Sequence, residues 1–282
     1  MNDPPEVDDR ETSARFLRDL GKSNRQVWPI AEAALALAAL ANPEAAVARY
    51  RKELQRIARD VARHEGAAGD LGAHARAMTE VILLKHGYRG DAETYDDLQN
   101  ANLIRVIDRR RGLPVVLGIL FIHAGRAQGW EMAGLGFPGH FLVRLSDAAG
   151  QLILDPFHGG RVCRAAELRD LLKALAGADT ELRPEHYAPV SDRDVLLRLQ
   201  NNLKSRLWRQ HRLEPAVRVV ETMLMLAPDA AELWLEAGTL YRHLGNIRAS
   251  IGALEQYVGR APEGDARHQA AAALQRLRTQ LN

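Results

Sequence analysis

Apolar positions along this chain follow two different rhythms. From residue 12 to residue 85 they recur every three or four positions, the spacing of helices packed on one side. Val47, Tyr50, Leu54, Ile57 and Val61 form one such stripe. Asn42-Pro43-Glu44 just before it predicts the helix start, with an asparagine cap, a proline in the first turn and an acid facing the dipole. Ala73 to Leu84 predicts another helix, ended by Gly87 and Gly90. Between 88 and 113, Leu103, Val106 and Ile107 predict a short helix that ends in Arg109-Arg110-Arg111. Two readings of these arginines stay open: a solvated basic helix end, or one guanidinium pinning a carboxylate beside a cleft.

The run from Pro114 to Ala127 is apolar or small at nearly every position, so its helix is expected to be buried all round. Proline suits its first turn and Gly129 its end. Beyond Glu131 the rhythm changes. Phe141, Val143 and Leu145 alternate with Leu142, Arg144 and Ser146, which predicts a strand. Asp147 to Gly150 reads as a hairpin turn and Gln151 to Leu154 as the return strand, closed by Asp155-Pro156. His140 then opens one strand and Asp155 ends its neighbour, which predicts both at one end of a small antiparallel sheet within hydrogen-bond reach. Residues 165–176 read as a helix and 177–190 as a proline-bearing linker.

The last third repeats. Pro228 and Pro262 lie 34 residues apart, the period of tetratricopeptide helical hairpins. Trp234, Gly238 and Tyr241 fall where that repeat places an aromatic, a small residue and a second aromatic; Gly245 marks the inter-helix turn. The upstream copy keeps Leu203, Ala216 and Pro228, and Asp265 to Leu281 reads as a capping helix. The expected fold is α+β: a disordered tail over 1–10, a helix-rich domain with a small antiparallel sheet over 11–185, and an all-α repeat domain over 191–282.

Composition narrows the function classes. The 282 residues are 46% apolar and 26% charged, with a net charge of +2. That near-balance gives no electrostatic footprint for nucleic acid, and no helix-turn-helix or zinc-finger pattern is present. No apolar run has the length of a membrane span and no signal-peptide core follows Met1, so a cytoplasmic protein is expected. Cys163 is the single cysteine, which excludes an internal disulfide and a cysteine-rich metal site. It reads as a small half-buried hydrophobe rather than a nucleophile. Only five of the 38 basic residues are lysine; codon bias explains this more simply than a preference for bidentate anion contacts.

The blocks Asn100-x-Asn102, Val106-Ile107-Asp108-Arg109-Arg110-Arg111-Gly112-Leu113-Pro114, Gly136-Phe137-Pro138-Gly139-His140-Phe141 and Leu154-Asp155-Pro156-Phe157-His158-Gly159-Gly160, followed by Asn201-Asn202-Leu203-Lys204, resemble a bacterial family. Its members join a divergent transglutaminase-like, papain-like domain to tetratricopeptide repeats and are regarded as regulators of sirC expression. The resemblance covers roughly residues 30–270. In active transglutaminase-like enzymes a Gly-x-Cys motif opens the central helix, and His and Asp follow on neighbouring strands; the thiolate attacks an acyl group. Here Gly112-x-Pro114 stands at that place, and proline carries no nucleophile. The resemblance therefore implies a pseudoenzyme. Its cleft would be lined by Asn100, Asn102, Arg109, His140, Asp155 and His158 and suited to a carboxylate or amide of a protein partner. Trp234, Gly238, Tyr241, Pro228 and Pro262 would shape the repeats that bind that partner. No cofactor and no metal are expected, since the His140, Asp155, His158 spacing matches no strong zinc pattern. The competing reading is a hydrolase or acyltransferase that uses His140 and Asp155 with another nucleophile.

Overall fold

A computed structural model describes residues 9–281. They form two compact units, one of Arg25–Leu199 with the N-terminal stretch to Ser13, the other of Ala14–Asn24 with Gln200 onward. The tail expected over 1–10 lies outside the described residues, except for Asp9 and Arg10, which open helix α1 (Asp9–Lys22). The second half of α1 groups with the repeats, not with the domain expected to start at residue 11. The cause is close backbone packing: a Cβ on Gly21 would lie 2.0 Å from the Met225 carbonyl oxygen.

In the first unit, α2 (Ile30–Ala41) and α3 (Val47–Ala62) precede α4 (Leu71–Met78), which runs directly into a π-helical turn, Thr79–Lys85. The stripe Val47, Tyr50, Leu54, Ile57 and Val61 is buried. Its helix, however, starts at Val47, and Asn42 caps the end of α2 instead. The Asn42 amide donates back to the Ala38 carbonyl at 2.7 Å, which turns the side chain toward α2, and the residue before α3 is Ala46. Two short strands, β1 (Arg89–Gly90) and β2 (Arg111–Gly112), pair in parallel around α5 (Leu103–Arg109). Then comes α6 (Pro114–Arg126), with Pro114 in its first turn and nearly every residue buried.

The sheet holds β3 (Glu131–Leu135), β4 (Val143–Asp147), β5 (Gly150–Asp155), β6 (Arg161–Val162) and β7 (Pro189–Val190), all antiparallel, in the order β6-β5-β4-β3-β7. The segment expected as a plain linker thus supplies an edge strand: Pro189 and Val190 pair with Leu135 and Gly134. Proline is tolerated there because an edge strand needs no donor on its outer side. The hairpin register pairs Val143 with Leu154 and Asp147 with Gly150, and Asp147 Oδ1 accepts the Ala149 and Gly150 amides to tighten the turn. One sheet face meets α6 where Gly118 leaves room: a Cβ there would lie 2.3 Å from the Phe141 ring. Leu135, Phe137, Leu142, Ile153 and Cys163 pack with Leu168 and Leu172 of α7 (Ala165–Ala176).

The second unit continues along α8 (Asp192–Arg209), which starts in the first unit, into α9 (Leu213–Leu226), α10 (Ala231–His243), α11 (Ile247–Arg260) and α12 (Asp265–Leu281). A Cβ on Gly238 would lie 3.0 Å from Leu254, and Ser250 Oγ donates to the Gly238 carbonyl at 2.8 Å, so α10 and α11 meet backbone-close at this residue. Trp234 Nε1 donates to the Pro228 carbonyl at 2.8 Å, tying the repeat aromatic to the repeat proline, and the Tyr241 hydroxyl donates to Glu221 on α9. No described helix is long and apolar enough to cross a membrane.

Candidate functional site

His140 sits in the loop between β3 and β4, three residues before the strand expected to begin with it. Gly139 turns the chain there with φ +70°, which a side chain would strain. Phe141, the next residue, is locked into the space above Gly118. Arg198 of α8 fixes the rest of the loop: its guanidinium donates to the Phe137 carbonyl at 3.0 Å and to the His140 carbonyl at 2.6 Å. Nothing in the sequence marks Arg198, since its partners are main-chain oxygens sixty residues upstream.

Asp155 ends β5, fully buried, and its carboxylate gathers donors from its own turn. Oδ1 accepts from His140 Nε2 at 2.9 Å and from the Phe157 and His158 amides at 3.2 Å each. Oδ2 accepts from His158 Nδ1 at 2.7 Å, with Arg161 Nη2 at 3.5 Å. Burial alone would raise the Asp155 pKa; the hydrogen bond and charge of His140, then those of His158, outweigh it and hold the carboxyl down at about 2. An ionised carboxylate only accepts, so these contacts put the ring protons on His140 Nε2 and His158 Nδ1. His140 Nδ1 takes no hydrogen bond from any described residue and is not sealed from solvent. The His158 side chain is 47% exposed. The Asp155 carbonyl accepts the Gly160 amide, and Gly160, at φ +70°, passes so close to Thr79 that a Cβ would lie 2.4 Å from its hydroxyl.

Phe157 closes one side of this cluster. Its ring meets His140, His158 and Tyr95 edge-on at 6.0, 5.1 and 5.9 Å. It also covers Gly90, where a Cβ would lie 2.6 Å from the ring. Gly90 pairs with Gly112, two residues before Pro114. Pro114 is buried at the start of α6.

The six residues expected to line one cleft form two clusters. His140, Asp155 and His158 come together; Asn100, Asn102 and Arg109 serve another purpose. Asn100 is fully buried: its amide donates to the Thr94 carbonyl at 2.7 Å, its Oδ1 accepts from Arg109 at 3.0 Å, and its carbonyl accepts the Leu113 amide. Asn102 caps α5 by accepting the Arg105 amide. Arg109 also reaches Asp91, itself buried and held by Thr94. These groups brace the 91–97 loop against the entrance of α6. The three arginines are not a solvated helix end either. Arg109 pairs with Asp91, Arg110 with Glu53 at 2.6 Å and Arg111 with Glu93. Arg110 takes φ 59° as the left-handed cap of α5 and lies over the Tyr88 ring at 4.5 Å.

Cys163 belongs to the core under α7. Burial first, then the Asp155 charge, push its thiol up to about 11, so it is held as the unreactive thiol. As for a metal, His140, Asp155 and His158 offer ligand atoms that all lie within 4.8 Å of one another.

With this geometry in view, the profile of the transglutaminase-like superfamily matches residues 48–201, and a tetratricopeptide-repeat profile matches 203–278. Among relatives, a UPF0162 protein of Xylella fastidiosa is 34% identical over 185 residues, 64% of this chain and 66% of its own length. A UPF0162 protein of Pseudomonas aeruginosa is 30% identical over 229 residues, 80% of this chain and 82% of its own. Protein SirB1 of Salmonella typhimurium is 25% identical over 162 residues, 57% of this chain and 60% of its own. This chain spans just under two thirds of the Xylella relative. The chain belongs to the transglutaminase-like superfamily and, more narrowly, to the bacterial UPF0162 proteins. The kinship read from the Pro-Gly-His-Phe and Asp-Pro-Phe-His-Gly-Gly blocks is thereby established, with its helical repeats behind it.

Proposed function

We propose that this chain is a non-catalytic transglutaminase-like protein that binds a protein partner through its repeats and its His140–Asp155–His158 cluster, in a regulatory role. The observation that carries the reading is Pro114. It occupies the first turn of the buried helix α6, where the family's enzymes place the attacking cysteine, and the one thiol in the chain lies in the core at Cys163. A protein that kept the histidine and aspartate without the nucleophile retains the parts that orient and bind, not the part that forms the acyl bond.

The repeat unit supports a binding role. Between α8 and α10 it has a mostly apolar hollow of about 500 Å³, lined by Lys204, Trp208, Leu235, Thr239 and Leu240. Trp208 is 45% exposed there, and large half-exposed aromatics are the usual anchors of protein interfaces. The resemblance to regulators of sirC expression, with the near-neutral charge, favours an effect exerted through a bound protein rather than through DNA. The competing hydrolase reading has one feature in its favour: His140 Nδ1 takes no hydrogen bond from any described residue, which suits a base acting on water.

Two assays on the full chain separate the readings. Amine incorporation and ester or amide hydrolysis should stay at background for the wild type. Affinity capture from the native cytoplasm should retain a discrete partner that Trp208→Ser loses. Turnover that disappears in His140→Gln would instead establish the enzyme.

A further inference from the structure

Two imidazoles and a carboxylate converge at the end of β5. The Phe157 and His158 amides both bond Oδ1 of Asp155, and the buried Oδ2 faces the His158 ring. His158 reaches the carboxylate from the surface: its side chain is 47% exposed and its ring is turned back onto Asp155 at 2.7 Å. His140 approaches the other carboxylate oxygen from the β3–β4 loop, and the two rings lie 5.3 Å apart with a 30° tilt.

We propose that His140, Asp155 and His158 form a binding site for one divalent transition-metal cation of the zinc, cobalt or nickel class. Two nitrogens and one carboxylate form a borderline donor set that suits these ions and not calcium or magnesium, which take oxygen ligands. The three ligand atoms lie within 4.8 Å of one another. The nitrogen–oxygen separations of 2.9 and 2.7 Å are hydrogen-bond lengths, shorter than the edge of about 3.4 Å between tetrahedral ligands bonded at about 2.1 Å, so the rings must draw back by about half an ångström to admit the ion. The cation enters from the His158 side. It replaces the ring protons that face Asp155, and each proton moves to the other nitrogen of its own ring, so neutral imidazoles lose none overall. Three protein donors leave further positions for water, as in open rather than structural sites. One group opposes the ion: Arg161, 3.5 Å from Asp155 Oδ2 with a side chain 48% exposed, must swing out. The inference does not rest on the partner reading, because an ion can bind whether or not a protein does.

The full chain, freed of metal with a chelator, is titrated with Co²⁺ and followed by visible d–d absorption, and with Zn²⁺ by calorimetry. One equivalent should bind. His158→Ala keeps the amides that hold Asp155, so it should fold normally and bind at least tenfold more weakly; His140→Gln should do the same. Arg161→Ala should bind more tightly, because a like charge is removed. His243→Ala and Cys163→Ser should bind like the wild type. Absence of binding in the wild type would overturn the proposal, as would unchanged affinity in His158→Ala or loss of the ion in either control.

Discussion

Replacing Asp155 with asparagine removes a charge and no atom of bulk, so it isolates what the carboxylate does. In the native protein the group is fully buried, and its pKa falls from 3.8 to about 2, a difference of about 2 kcal/mol in favour of the folded state. Asparagine can keep its oxygen at the Oδ1 position, toward His140 and the Phe157 and His158 amides. Its amide nitrogen then faces His158 Nδ1 and Arg161, where a donor meets donors unless His158 changes tautomer. A loss of about 2 kcal/mol is expected at pH 7, and about 3–5 kcal/mol for Asp155→Ala, which also leaves buried donors unpaired. The sign with pH follows from the depressed pKa. The carboxylate's contribution is complete above about pH 4, the unfolded value, and is lost as pH falls through about 2. The stability gap between wild type and Asp155→Asn should therefore narrow between pH 4 and pH 2. Hydrogen exchange of peptides spanning 140–162, read by mass spectrometry at several pH values, measures this gap locally and avoids treating a two-unit chain as two-state. A gap that is absent at pH 7, or that does not change with pH, would refute the role given to the charge.

Gly238→Leu should destabilise the repeats by about 1–3 kcal/mol, because its Cβ starts 3.0 Å from Leu254; a wild-type melting curve would contradict this. Cys163, 5% exposed with its thiol raised to about 11, should react with a thiol reagent only on unfolding; prompt labelling of the native chain would count against it. Arg198→Ala removes both bonds to the Phe137 and His140 carbonyls, at about 2 kcal/mol for a charged donor. Faster exchange in residues 136–142 with an unchanged far-UV spectrum is the expected result; unaltered exchange would contradict it.

The elements with a strong local period were legible in the sequence. The stripe from Val47 to Val61, the all-apolar α6 and the 140–155 hairpin each carry their environment in their own spacing. What failed was competition between uses of one residue. Asn42 can cap the helix after it or the helix before it, and only the packed backbone decided. Asn100 and Arg109 are expected beside His140 because the core fold brings their separate polar segments to one place. Their partners Asp91 and Thr94 were equally visible, but no spacing rule links them. The edge strand at Pro189–Val190 is two residues long, too short to show a period. Arg198 was out of reach for a different reason: a side chain that clamps distant main-chain carbonyls leaves no mark in the residues it holds.

The central claim is that the histidines bind and do not catalyse, and it is best tested with Asp155 left in place, since that carboxylate also holds its own turn. The wild-type chain and the double variant His140→Gln, His158→Gln are used as bait in a lysate of the native cells, in the presence of a chelator, after near-UV circular dichroism has shown the same tertiary packing. The account predicts that the folded variant loses a partner that the wild type retains. Equal capture by both proteins would contradict it.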